Sequence, residues 1–282
     1  MPAQVPGFVM AAVLGAALLH AGWNAAIKAE PDKLLAAAAV TLGAGLLGAL
    51  ALPFLPAPGA ASWPYLAASG VLQVVYYLLL AATYRDADIS HVYPLMRGTA
   101  PVLVALLNSG NEALRLPQLA AAALVCAGGA VICLGGGGLL RSSRRSLGLA
   151  LLTALVIAAY TLVDGLGVRR SGAPAAYTAW LFLLAGAGVV LASRRRLHGR
   201  LGAYLRARPL LVLGGGLASA GSYGVALWAM TLAPIAVVAA LRETSIVFAA
   251  AIAAWVLRER VGPARIAGAV LVAGGAAVLR LA

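Results

Sequence analysis

The chain has 282 residues, of which 63% are hydrophobic and only 10% are charged, and its formal net charge is +13. Soluble domains average about 45–50% apolar and about 25% charged residues. So few charges could not cover the apolar surface of a soluble fold of this length. The composition excludes a soluble enzyme, a secreted domain and a disordered chain, and predicts a polytopic membrane protein.

Ten apolar runs are long enough to span a bilayer, which takes about 20 residues each. Their apolar character is continuous and does not alternate, which favours helices over a membrane barrel. Residues 1–7 contain no Lys or Arg, so we expect the first run to be a retained helix and not a signal peptide. The runs are 6–28, 34–55, 63–84, 89–108, 117–138, 147–168, 174–193, 209–231, 234–257 and 263–281.

The basic residues lie in the short gaps between these runs, so the positive-inside rule explains them better than nucleic-acid binding does. Counted from the N-terminus, the odd-numbered gaps contain most of the 21 Lys and Arg residues. This bias predicts that the odd gaps are cytoplasmic and that both termini lie outside the cytoplasm. Cys126 and Cys133 are too few for a disulfide framework or a zinc site, and we expect no metal and no cofactor.

The two halves of the chain resemble each other. VYPLMRGTAPVLVALL (92–107) aligns with VAALRETSIVFAAAIA (238–253), so that Arg97 falls on Arg242, and Asn24 aligns with Asp164 near the start of each half. The predicted repeats are 1–139 and 147–282, joined by a basic loop at 140–146. Five helices per half would insert the second half upside down, which is an architecture of secondary transporters.

Three ionisable residues in the fourth and ninth runs require an explanation, because charges within a membrane are costly. Arg97 and Arg242 occupy equivalent repeat positions and could bind a substrate carboxylate through their planar donors. Alternatively they are structural: Glu243 pairs with Arg97 or Arg242, or the arginines bind carbonyls at helix ends. Adjacent helical residues point about 100° apart, which favours pairing between helices over an Arg242–Glu243 pair.

Further polar residues lie in the first and sixth runs. Asp164 could carry a proton or bind a cation, or it could pair with Arg169 or with Asn24. His20, Trp23 and Asn24 share one helix face, at spacings i, i+3 and i+4. His20 is either a packing residue or a ligand. Trp23 is either a membrane-belt anchor or part of the site.

Aromatic residues divide into two predicted groups. A cavity with apolar walls and hydroxyl groups could be lined by Tyr76, Tyr77, Tyr160, Tyr223 and Trp228. Interfacial belts are predicted at Trp63, Tyr65, Tyr177, Trp180 and Trp255. Near the start of the fourth run, Tyr93 is a site candidate, and His91 is either a loop-end residue or a gate or proton relay. Glu112 and Glu259, at helix ends, are interpreted as structural.

No phosphate-binding loop or catalytic motif is present in the sequence, so energy for transport would come from a gradient. Four segments, HAGWNAAIK, SHVYPLMRGTAP, YTLVDGLGVR and above all ALRETSIVFAAAIAAWVLRER, resemble the EamA-type exporters of the drug/metabolite transporter superfamily. The resemblance implies two inverted five-helix repeats and a central cavity lined by helices 1, 3, 4, 6, 8 and 9. It also implies export of small metabolites across a bacterial inner membrane.

Similar exporters are associated with amino acids, including aromatic ones, and with toxic organic cations. The four-helix multidrug members rely on a membrane-embedded Glu in their first helix. This chain has His20 and Asn24 in its first helix, and the proton-coupling Glu of those members therefore has no equivalent here. Proton coupling would instead fall to Asp164 or Glu243.

The sequence therefore predicts an all-α integral membrane protein with ten transmembrane helices arranged as two inverted five-helix repeats. We expect a secondary transporter, not an enzyme, that exports small metabolites, with amino acids as the leading class. The alternative is a multidrug or organic-cation exporter that uses Asp164 or Glu243. Expected partners are a small-molecule substrate and membrane lipids, as a monomer or a dimer. Predicted substrate-binding residues are His20, Trp23, Asn24, Tyr76, Tyr93, Arg97, Tyr160, Asp164, Tyr223, Trp228, Arg242 and Glu243.

Overall fold

The computed structural model describes residues 5–86, 89–110, 112, 115–134, 143–255 and 262–281. Within these residues the chain is helical and contains no strand. Short 3₁₀ turns at Leu52–Phe54 and Ala60–Ser62 join the second and third helices. The helices are α1 (Gly7–Ala29), α2 (Lys33–Ala51), α3 (Trp63–Asp86), α4 (Ile89–Leu107), α5 (Leu116–Leu134), α6 (Arg144–Ser171), α7 (Pro174–Leu197), α8 (Leu201–Ala207), α9 (Gly216–Met230), α10 (Ile235–Arg242), α11 (Ser245–Trp255) and α12 (Pro263–Leu281).

Apolar helical segments account for the predicted membrane spans. Seven in the described residues are long and apolar enough to cross a bilayer, namely Gly7–Ala29, Lys33–Phe54, Ala60–Leu80, Arg144–Ser171, Pro174–Leu197, Leu211–Met230 and Ile235–Ile252. Shorter apolar stretches lie within α4, α5 and α12, at Leu95–Leu107, Leu116–Ile132 and Ile266–Leu279. The described residues thus form an all-helical, multi-pass membrane protein.

Local sequence signals explain several helix ends. The carboxylate of Asp32 accepts hydrogen bonds from the backbone N–H groups of Leu34 and Leu35, both at 3.1 Å, and so caps α2. Ser143 caps α6 in the same way. The α6 helix ends at Gly172, whose φ of 62° suits a residue without a side chain. Pro174 then begins α7, where its missing N–H is not needed.

The ninth predicted run, 234–257, is two helices and not one. Glu243 and Thr244 form a turn between α10 and α11, with backbone hydrogen bonds from Glu243 N to Ala240 O (3.0 Å) and from Thr244 N to Leu241 O (3.1 Å). Hydropathy cannot reveal this break, because apolar residues lie on both sides of it. Broken helices within a membrane are typical of transporter binding sites.

The helices pack in pairs that bring distant parts of the chain together. The most extensive pairs are α5 with α12, α2 with α7, α3 with α6, α4 with α6, and α1 with α9. Small residues allow the closest approaches. In the α5–α12 pair, a Cβ on Gly128 would lie 2.6 Å from the backbone oxygen of Gly268, and the reverse distance would be 2.5 Å. Any side chain at either glycine would therefore separate the two helices.

Candidate functional site

An ion pair joins α4 to the break between α10 and α11. Nη2 of Arg97 lies 2.9 Å from Oε1 of Glu243, and the two side chains are only 5% and 6% exposed. The pairing across helices that the sequence favoured is therefore present. The second carboxylate oxygen of Glu243, Oε2, is buried and has no hydrogen-bond partner among the described residues.

Arg242 lies immediately before the break and has a different environment. Its guanidinium carbon is 4.8 Å from the centre of the Tyr223 ring, which is a cation–π contact. Its side chain is buried, and it forms no ion pair with any carboxylate that the structure describes. The Arg242 guanidinium is thus a buried cation whose described partner is an aromatic face.

Asp164 is fully buried within α6 and is held by two tyrosines. Tyr177 donates a hydrogen bond to Oδ1 at 3.1 Å, and Tyr223 donates one to Oδ2 at 2.7 Å. Both alternatives that the sequence raised for its partner are wrong. Arg169 pairs with Glu112, and the side-chain amide of Asn24 donates to the backbone oxygen of His20 at 2.8 Å.

Tyr177 is the contact that the sequence interpretation missed. It was assigned to a membrane belt, yet its side chain is fully buried. Nothing in the local sequence distinguishes it from a belt residue near a helix start. Ser69 and Gln73, both buried on α3, also lie beside the Asp164 carboxylate. Their i, i+4 spacing within an apolar run was a signal that could have identified them.

Aromatic rings connect the two buried charge centres. Edge-to-face contacts run from Tyr77 to Tyr76 (5.0 Å between ring centres), from Tyr76 to Tyr160 (5.6 Å), from Tyr160 to Tyr223 (6.0 Å) and from Tyr223 to Phe182 (6.3 Å). Tyr223 therefore belongs to the aromatic row and has two further contacts. Its hydroxyl group binds the Asp164 carboxylate, and the face of its ring contacts the Arg242 guanidinium. The predicted grouping of Tyr76, Tyr160 and Tyr223 is present.

His20 and Trp23 on α1 face the interior of the bundle. Their rings are in edge-to-face contact, with centres 5.1 Å apart. Trp23 is 6% exposed, so the belt interpretation of this residue is wrong. Its indole N–H is buried without a hydrogen-bond partner among the described residues. The α1 helix packs against both α10 and α11, the helices on either side of the Glu243 break.

Some predicted residues are placed elsewhere or are not described. Trp228 is half-buried, and its ring contact is with Phe8, 6.1 Å away and itself 63% exposed. It therefore lies toward the outside of the bundle, apart from the aromatic row. Other predictions fall on residues or side chains outside the described part of the chain, namely those on His91, Tyr93, Cys133, Trp255, Glu259 and residues 140–142 of the connecting loop.

A second polar cluster lies near the start of α10. Oε1 of Glu112 is 2.6 Å from Nη1 of Arg169, and Oε2 accepts a hydrogen bond from the backbone N–H of Ile235 at 2.9 Å. Arg169 also donates to the backbone oxygens of Met230 (2.7 Å) and Ala233 (2.9 Å). The cluster fixes the loop between α9 and α10, and α10 then leads directly to Arg242.

Comparison with known proteins relates the second half of the chain to a transporter family. Residues 144–281 match the EamA-like transporter family. This match covers the second half of the chain and relates it to the drug/metabolite transporter superfamily, of which the EamA-like family is part. No curated protein matches the sequence.

The EamA assignment of the second half is accompanied by a structural likeness that covers both halves. A solved structure titled "Crystal structure of protein" superimposes with a TM-score of 0.72 at 20% sequence identity. The alignment covers 97% of this chain and 98% of that one. At this level of identity the likeness establishes the overall fold alone.

Proposed function

We propose that this EamA-family protein is a secondary transporter that exports small metabolites, with amino acids as the main class, across a bacterial inner membrane. It would work by alternating access between two inverted five-helix repeats, with both termini outside the cytoplasm. The observation that carries the proposal is the pairing of Arg242, a buried cation without a described carboxylate partner, with the unpartnered Oε2 of Glu243.

The helix contacts support the inverted repeat. If α10 and α11 are taken as one span and α8 as a connector, each half contributes five spans. If each helix is replaced by its counterpart in the other half, the α3–α6 contact becomes α1–α9 and the α4–α6 contact becomes α1–α11. All four contacts occur in the structure. The α2–α7 and α5–α12 contacts map onto themselves. Such exchange symmetry is expected of a pseudo-two-fold axis in the membrane plane.

The charges at the helix break suit a zwitterion. A substrate carboxylate would bind the Arg242 guanidinium, whose donors match it in geometry. A substrate ammonium group would donate to Oε2 of Glu243, while Oε1 stays with Arg97. The tyrosine row would contact an apolar or aromatic side chain.

Proton coupling fits Asp164 better than Glu243. Burial disfavours a charged carboxyl group unless a cation compensates it, and Asp164 forms no ion pair with a described residue. Tyr223 contacts Asp164 through its hydroxyl group and Arg242 through its ring. We infer that proton binding and substrate binding influence each other through this one side chain.

The cluster around Glu112 would hold one end of the bundle closed. It ties the end of α6 to the loop that precedes α10. Because α10 has only eight residues between Ile235 and Arg242, movement of that loop would be transmitted to the substrate site. Opening this end would therefore require the Glu112–Arg169 pair to separate.

Transport assays in proteoliposomes test the proposal. Labelled neutral and aromatic amino acids and lipophilic cations would be supplied to the purified protein, with and without an inward proton gradient. We expect saturable, gradient-dependent uptake of amino acids that Asp164→Asn abolishes. Asp32→Asn, which changes a carboxylate at the exposed start of α2, is the matched control and should transport normally. Equal uptake by Asp164→Asn and the wild type would contradict the coupling role.

An organic-cation exporter is the second candidate. It is favoured by the placement of Asp164, a carboxylate without a described cation beside it, close to a row of tyrosine rings. In the same assay this alternative predicts uptake of lipophilic cations and not of amino acids. Removal of Asp164 would then abolish transport, whereas removal of Arg242 would not.

A further inference from the structure

A cavity separate from the central site opens between α2, α3 and α7. It has a volume of about 560 Å³ and lies where α2 begins and α7 ends. Its lining combines three consecutive arginines, Arg194, Arg195 and Arg196, with the apolar side chains of Leu34 and Leu191. Its lining therefore includes both basic and apolar side chains.

The arginines of the cavity are uncompensated. None of Arg194, Arg195 and Arg196 forms an ion pair with a carboxylate that the structure describes, and all three are exposed. The positive-inside rule accounts for basic residues at this end of the bundle. It does not account for a cavity beside them, so a ligand with negative charge fits the observation better.

A buried hydroxyl group provides an independent indication of a polar ligand. Ser193 lines the cavity, is 3% exposed and has no hydrogen-bond partner for its Oγ among the described residues. Buried hydroxyl groups are normally satisfied, because leaving one unpaired is costly. A phosphate oxygen in the cavity would accept this hydrogen bond.

We propose that the cavity binds an anionic phospholipid. The phosphate would contact Arg194, Arg195, Arg196 and Ser193, and an acyl chain would run along the leucine wall toward the membrane interior. Basic pockets between transmembrane helices bind acidic lipid headgroups in this way. The apolar wall favours a lipid over a soluble anion, because a soluble anion would gain nothing from contact with leucine side chains.

Native mass spectrometry of the purified protein tests the proposal, with phosphatidylglycerol, phosphatidylcholine and inorganic phosphate as probes. We expect the protein to retain phosphatidylglycerol in preference to phosphatidylcholine. Replacing Arg194, Arg195 and Arg196 together by Gln should weaken that binding about tenfold or more, since each basic residue near an acidic lipid contributes. The matched control removes the same charge outside the cavity, through Arg144→Gln, Arg145→Gln and Arg206→Gln, and should bind normally.

Two more variants separate a defined site from general attraction to charge. Ala82→Phe should fill the cavity and prevent lipid binding without a change in charge. Ser193→Ala, which removes one oxygen atom, should weaken binding several-fold, and it keeps the test valid if the larger side chain prevents folding. Equal loss in the control triple variant would overturn the proposal. So would displacement of the lipid by inorganic phosphate, which would indicate a site for free anions.

Discussion

Two buried carboxylates, Glu243 and Asp164, are held in different ways. Glu243 lies at a helix break and contacts the Arg97 guanidinium at 2.9 Å, so that its charge is compensated. Asp164 lies within a continuous helix and accepts hydrogen bonds from two neutral tyrosine hydroxyl groups. The comparison teaches that burial alone does not define a role. The partner decides whether a carboxylate fixes structure or can exchange a proton.

The backbone around the two residues differs as well. At the Glu243 turn, hydrogen bonds span three residues, which leaves polar backbone groups near the ion pair. Around Asp164, the α6 backbone is regular and only side chains supply donors. Under the proposed function, the Glu243 region would bind polar groups of a substrate, and Asp164 would hold a proton among hydroxyl groups.

The largest effect should come from breaking the ion pair. Arg97→Leu leaves Glu243 buried without its cation, and removal of one partner of a buried pair costs about 3–5 kcal/mol. We expect a large fall in thermal stability, measured by unfolding of the protein in detergent, together with loss of transport.

The double variant Arg97→Leu with Glu243→Leu sharpens this test. It removes both charges, so we expect most of the lost stability to return, because apolar replacement of a buried pair is often neutral. Transport should remain absent, since Oε2 of Glu243 is lost. If the double variant transports amino acids at the wild-type rate, Glu243 does not bind substrate.

An intermediate effect is expected when Asp164 loses one hydrogen bond. Tyr177→Phe and Tyr223→Phe each remove one donor to the carboxylate, and hydrogen bonds to charged groups contribute about 1.5–3 kcal/mol. Gradient-driven uptake should fall in both variants, by less than in Asp164→Asn. Initial uptake rates at several substrate concentrations provide the measurement.

A tyrosine at the other end of the bundle supplies the control. The Tyr204 hydroxyl group donates to Oε2 of Glu30 at 2.9 Å, near the start of α2. Tyr204→Phe therefore removes the same type of hydrogen bond outside the membrane centre, and we expect unchanged uptake. If this variant lost as much transport as Tyr223→Phe, the effect would not be specific to Asp164.

The smallest effect is expected at an exposed ion pair. Arg200 and Asp32 are 2.8 Å apart, but their side chains are 59% and 32% exposed. Exposed pairs contribute about 0–1 kcal/mol, so Arg200→Gln should leave the melting temperature almost unchanged. Asp32→Ala should cost about 1 kcal/mol, because it also removes the cap of α2. Equal losses in the two variants would show that the ion pair, and not the cap, is what matters.

The important polar residues were visible in the sequence because they interrupt apolar runs. Arg97, Asp164, Arg242 and Glu243 stand out for this reason, and spacing alone favoured a pair between helices. Tyr177 did not stand out, because a tyrosine near a helix start is equally typical of a membrane belt. Trp23 was ambiguous for the same reason, although both residues are buried.

Sequence alone determined the helical, membrane-spanning character of this protein and the identity of its costly buried charges, because hydropathy acts along the chain. Only the tertiary structure decided the partners. Glu112 accepts a hydrogen bond from the backbone of Ile235, 123 residues away, and it forms the ion pair with Arg169, which the sequence had offered as a partner for Asp164. Such contacts depend on how the helices pack, and packing between distant segments leaves no periodic signal in either segment.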